Sequence, residues 1–162
     1  MLITDIKLYL SGGTANTDPN LSLGGTISNT QVGTAIHQLF DLVLPADALI
    51  GEIEYRCIWA KNTHVSETLY EAKLVVSLET TSTSTVVAWA YDTTGTQVIA
   101  NEKTAPVGLT FSTPYSYATG IALGDMAPNS TKMIWVKWSV TAGALKMIDA
   151  GQLTITGGIV TG

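Results

Sequence analysis

Glu52 and Glu54 stand two apart in an alternating segment, and residues two apart on a strand share a face about 7 Å from one another. That lies in the range at which an inverting glycosidase holds its acid and its base. Arg56 continues the same face and would neutralise the pair, so the expected reading is a solvated polar stripe rather than a catalytic dyad. His37 and His64 are too far apart in sequence for a metal-ligand spacing such as His-x3-His, and His64 falls in a polar turn, Lys61-Asn62-Thr63-His64, where solvent is the expected neighbour. Serine and aspartate are plentiful, yet no Gly-x-Ser-x-Gly elbow presents a nucleophile. Cys57 is the only cysteine, which excludes an intramolecular disulfide and a cysteine-based zinc site. Alternating with Tyr55 and Trp59, it reads as a buried structural thiol. Gly12-Gly13 and Gly24-Gly25 lack the preceding strand and following helix of a phosphate-binding loop. The expectation from these residues is no enzyme, no cofactor and no metal.

The elements that must position them are strands, because apolar residues recur with period two along almost the whole chain. Residues 6–10 form a first short strand, and 39–44 a second. In residues 51–61, Ile53, Tyr55, Cys57 and Trp59 share one face, with Glu52, Glu54 and Arg56 on the other. Residues 70–78 alternate in the same way, and the two segments are expected to pair as a hairpin with one face buried. Further strands are expected at 86–91, 96–100, 121–123 and 131–141, with a last one around Leu153 and Ile155. In 131–141, Ile134, Val136, Trp138 and Val140 face the core, while Met133, Trp135, Lys137 and Ser139 face away. Trp135 is thus either an exposed interface residue or part of the core of a second sheet. Pro45 to Ala48 is a turn or a single helical turn, and the only helical candidate, 142–150, contains Gly143 and is short. About eight strands separated by turn signals make an all-β fold: a single antiparallel β-sandwich, Ig-like or jelly-roll-like, spanning 1–162 as one domain. Residues 11–34 are too rich in glycine, asparagine and proline for a regular element and read as an extended N-terminal arm or long loop, dispensable for folding.

Composition narrows the partners. The chain has 162 residues, 46% hydrophobic and 13% charged, with a formal net charge of -5. No lysine or arginine block exists to grip nucleic acid or an anionic membrane, so neither is an expected partner. The N-terminal residues contain neither a basic region nor an apolar run of signal-peptide length, which points to synthesis in a cytoplasm.

A series of blocks carries a resemblance. In order they are Ser11-Gly12-Gly13, Asn16-Thr17-Asp18-Pro19-Asn20, Ser22-Leu23-Gly24-Gly25, Leu39-Phe40-Asp41, Glu54-Tyr55-Arg56-Cys57-Ile58 and Lys61-Asn62. Then follow Asn101-Glu102 with Thr104-Ala105-Pro106, Ile134-Trp135-Val136-Lys137 and Thr141-Ala142-Gly143-Ala144. From about residue 11 to residue 144 the chain resembles the capsid decoration, or cement, proteins of tailed double-stranded DNA bacteriophages. It departs from the group at Lys137-Trp138, where a basic pair is expected. The resemblance implies a structural virion protein without catalytic activity. Such a protein is made in the host cytoplasm and sits on the outer surface of the capsid. It is a homo-oligomer, with a trimer favoured, that bridges neighbouring subunits of the major capsid protein and stabilises the head. A tail, baseplate or head-fibre component, or a glycan-binding sandwich, are the alternatives. Asn16, Asp18, Leu21 and Leu23 in the arm, together with Trp135, are the candidate interface residues, with Leu21 and Leu23 as apolar anchors.

Overall fold

The computed structural model describes residues 5–34, 38–79, 84–144 and 151–159. The chain is an antiparallel β-sandwich. One sheet has five strands in the order β2-β1-β3-β7-β5 and the other three, β6-β4-β8. The strands are β1 (Ile6–Ser11), β2 (Ile27–Gln31), β3 (Glu52–Asn62), β4 (Leu69–Glu79), β5 (Thr85–Asp92), β6 (Ile121–Met126), β7 (Thr131–Val140) and β8 (Gly151–Gly158). A short helix, α1 (Pro45–Ile50), starts at a proline whose missing N–H costs nothing in the first turn.

From β3 onward, successive strands alternate between the two sheets. The expected hairpin of β3 with β4 is therefore not formed. The reason is visible at Asn62, which is fully buried at the end of β3: its side-chain amide donates to the carbonyls of Glu67 (2.9 Å) and Met126 (2.8 Å). That clamp turns the chain out of the large sheet into the small one. Ile58 and Ala60 of β3 then face Leu74 and Val76 of β4 across the core instead of lying beside them. Ile134 and Val136 of β7, Trp89 of β5 and Ile155 of β8 complete this inter-sheet core.

The other face of β3 and β7 is buried as well. Cys57, Trp59, Met133 and Trp135 form a second core with Ala90 and Ile99, covered by Ile27 at the start of β2 and by Leu23, Leu109 and Phe111 from irregular segments. Trp135 is 0% exposed. Its assignment as an interface candidate is overturned, as is the expectation that Met133 faces away from a core. Among the described residues the cover is not a second sheet but loops and the start of β2.

Residues 11–34 are one of those loops, and here the expected extended arm is corrected. The segment carries a single 3-10 turn, Pro19–Leu21, and strand β2, which pairs with β1. Between them Ser22 is fully buried. Its hydroxyl donates to the Cys57 carbonyl (2.7 Å) and accepts from the Ser11 amide (2.8 Å), while its carbonyl accepts from the Cys57 amide (2.7 Å). Gly24 follows with φ +104°, pressed so closely on the Gln97 carbonyl that a Cβ would overlap it. The segment supplies part of a core, so it is not dispensable for folding.

Two smaller expectations also change. Residues 39–44 form bends and irregular chain over β3 and β7, where Phe40 meets Arg56 and Trp138, rather than a strand, and 96–100 contributes only an isolated bridge, Gly24 to Val98. Most of the helical candidate 142–150 lies outside the described residues, as does His37.

Candidate functional site

The remaining interface candidates separate into structural and exposed groups. Asn16 is half-buried: its amide donates to the Ser11 carbonyl (2.6 Å), and its Oδ1 accepts from the Asp18 amide (2.9 Å). Asp18 caps the 3-10 turn by accepting from the Asn20 amide (2.9 Å). Both residues shape the loop. Leu23 packs on the second core, and only Leu21, 61% exposed, points an apolar group at solvent. The structure does not bring these residues together into one surface.

A cleft of about 240 Å³ opens instead at the start of β3, where residues 41–44, α1, the 102–103 loop and Trp138 of β7 meet. Five carboxylates line it: Asp41, Asp47, Glu52, Glu54 and Glu102. Arg56 lies behind it, fully buried. The expected solvated stripe is overturned at Arg56 and at Glu54, which is only 7% exposed, because segments distant in sequence fold over that end of the strand. The guanidinium donates from Nη2 to the Asn20 side-chain carbonyl (2.9 Å) and from Nη1 to the Tyr55 carbonyl (3.2 Å). Nη2 also ion-pairs with Glu54 (3.4 Å) and Glu102 (3.5 Å), and the group lies 5.5 Å from the Phe40 ring centroid. Phe40 in turn packs on Trp138, ring centroids 5.3 Å apart. One arginine thus joins three separate segments to β3. Removing it would leave buried carboxylate uncompensated, a change that is strongly destabilising.

The two glutamates tested as a catalytic pair are each turned to a cation of their own. Glu52 pairs with Lys103 at 2.9 Å, and that hydrogen bond holds the lysine above its ordinary range. Burial pushes the Glu54 carboxyl above the usual carboxylate range; Arg56 opposes this, and Glu52, Glu102 and Asp41 reinforce it. Its Oε2 accepts no hydrogen bond. The cleft carries five negative groups against two positive ones, a surplus of three, so it attracts cations. Among the described residues, no three of His, Cys, Asp or Glu converge to hold a metal ion. Burial pushes the Cys57 thiol up to about 12, so it is inert at neutral pH. His64 accepts at Nδ1 from the Glu67 amide (2.9 Å) and sits 3.5 Å from the Glu67 carboxylate, which fixes the turn after β3.

Around the acidic cleft the surface is apolar. Leu42 and Leu44 line it, and Leu49 and Ile50 project from α1; all four are exposed, Ile50 at 75%. A grouping of large apolar side chains at one end of a folded domain is the mark of a docking surface. The sequence signal for it was present in Leu42-Val43-Leu44 and Leu49-Ile50, apolar runs on either side of a proline turn. Asp41, Asp47, Glu102 and Lys103 carried no such signal, since their partners come from other segments. Among the described residues no helix is long and apolar enough to cross a membrane. Comparison of the chain with protein-family models, with curated proteins and with solved structures finds no match.

Proposed function

We propose that this chain is a structural virion protein, one that binds the outer surface of a tailed-phage capsid as a homo-oligomer and bridges neighbouring major capsid protein subunits. The observation that carries the reading is the exposed apolar surface that Leu42 and Leu44 build at the cleft, with Leu49 and Ile50 exposed on the adjoining helix α1. Such a surface is stable in water only at a cost that association with another protein removes. The net charge of -5 fits a protein that stays off packaged DNA. A sandwich whose large sheet is covered on both faces also suits a protein held under tension on a shell.

For the glycan-binding alternative, Trp59, Trp89 and Trp135 are buried and Trp138, at the cleft, packs on Phe40, so the exposed aromatic rings are tyrosines such as Tyr115 and Tyr117, away from the cleft lining. Gold labelling of intact virions with an antibody to this chain tests the proposal. Many copies distributed over the head are expected. Label confined to the tail or baseplate, or none on the particle, refutes it.

A further inference from the structure

The two ends of β3 carry opposite charge. Its first residues, Glu52 and Glu54, open the acidic cleft. Near its last, Lys61 lies directly opposite Lys7 of β1 in the sheet register. Neither lysine forms an ion pair among the described residues. Like charges directly opposite in a strand pair repel, so an anion brought between them by another molecule would relieve the pair.

Shape follows the same polarity. Beyond Lys61, the turn to β4 lifts Val65 into solvent at 87% exposure, the most exposed large apolar residue of the described surface. The only carboxylate in that turn, Glu67, is held by His64. One end of the sandwich is therefore an apolar tip flanked by unpaired ammonium groups. The other end is an apolar-rimmed hollow with surplus carboxylates, of which Glu54 is committed to Arg56 and Glu52 to Lys103, while Asp41 and Asp47 form no ion pair among the described residues. At about 240 Å³ the hollow has the volume of roughly eight water molecules, room for a valine tip and an ammonium group. Its carboxylates do not converge on one point, which suits long-stemmed lysines arriving from outside better than a single metal ion.

We propose that copies of this chain associate head to tail, the Lys61-to-Val65 turn of one copy, with its Lys7, seated in the acidic cleft of the next. The interface is heterologous: each copy gives its tip to one neighbour and its cleft to another, so the contact closes into a ring or extends as a filament according to the rotation between copies. The inference rests on the proposed function only in taking the chain to self-associate. Its test is made on the isolated protein, so it can fail while the virion labelling succeeds, and the reverse.

The test uses two variants of the full chain, each folded by circular dichroism. Lys7→Glu/Lys61→Glu destroys the tip and keeps the cleft. Asp41→Lys/Asp47→Lys destroys the cleft and spares Glu52, Glu54 and Glu102, which hold Lys103 and Arg56. Sedimentation velocity at millimolar protein in low salt should show the unaltered chain above monomer mass and dissociating as salt is raised. Each variant alone should be monomeric, and their equimolar mixture should form a dimer and nothing larger, because only one tip and one cleft survive. Val65→Asp, in an exposed turn, provides a second tip variant and should weaken association by at least about tenfold. A monomeric unaltered chain, variants that associate like it, or a mixture that stays monomeric overturns the proposal. So does a monomeric chain whose Trp138 and Glu54 amide signals shift on adding an apolar lysine-bearing peptide, since that assigns the cleft to a different protein.

Discussion

Replacing Trp135 by alanine decides between a core and an interface role in one measurement. The indole is 0% exposed and packs in the second core, with Cys57 and Ala90 as its partners across the two flanking strands and Leu23, Leu109 and Phe111 in the loops above. Truncating a buried tryptophan costs about 3–5 kcal/mol, the transfer of the lost atoms plus the cavity left behind. The cavity floor here is the β3-β7-β5 sheet, whose ladders hold it in place, so collapse must come from the loop side alone. Against a total stability of about 5–15 kcal/mol, that loss is a large share. For a domain of this length it corresponds to a fall in melting temperature of about 6–20 °C. Differential scanning calorimetry reads this directly, and Leu21→Ser is the control. Leu21 is 61% exposed, and its replacement should change stability by less than about 0.5 kcal/mol. A Trp135→Ala protein melting within about 2 °C of the unaltered chain would refute the burial argument and return the residue to the surface.

Two further outcomes follow from the polar groups. Ser22→Ala leaves the buried Ser11 amide and Cys57 carbonyl each short of a partner, so the urea midpoint should fall by the equivalent of about 1–3 kcal/mol; an unchanged midpoint would show that the loop is not clamped there. Glu54→Gln tests the buried carboxyl through its pH dependence. Because burial raises the folded-state pKa above the ordinary 4.5, the native state binds more protons than the unfolded one in that window, and stability falls as pH rises from 4.5 through the raised value. Glutamine removes this slope, so the variant should gain on the unaltered chain as pH rises from 4 to neutrality. A stability difference that does not vary with pH would show that Glu54 is not perturbed.

The strands at 51–61, 70–78, 86–91 and 131–141 were legible because alternation in each is long and unbroken. What covers each face was not. Period two states that Trp135 and Val136 point in opposite directions, and both point into cores. The cover on the Trp135 side comes from Leu23, Ile27, Leu109 and Phe111, apolar residues isolated among glycines, prolines and threonines, where no periodicity marks them. Strand β2 was hidden for the same reason. Arg56 was misplaced because an arginine between glutamates on a strand reads as solvated when only neighbours in sequence are considered. Its actual environment is made by Asn20, Phe40 and Glu102, three segments with no fixed spacing from it or from each other. The hairpin expectation failed at Asn62, where a single buried side chain redirects the chain between sheets.

The two-sided burial of the large sheet bears on how the molecule can transmit force. With one face closed by the small sheet and the other by loops, the ends of the sheet are left for contact along the strand direction. Strand β3 runs through both cores and joins those ends, paired with β7 without interruption from Glu52 to Lys61 and with β1 from Ile58 to Asn62. In an antiparallel ladder the hydrogen bonds lie perpendicular to the strands. Tension applied at the acidic cleft and at the Lys61 end therefore runs along the β3 backbone, perpendicular to its ladder bonds, rather than peeling them one at a time from an edge. Arg56 extends the same logic to the loops: by tying Asn20, Phe40 and Glu102 to β3, it makes the rim of the cleft move with the strand and not independently of it. A chain that holds its neighbours through these ends would pass their pull through its best-connected strand.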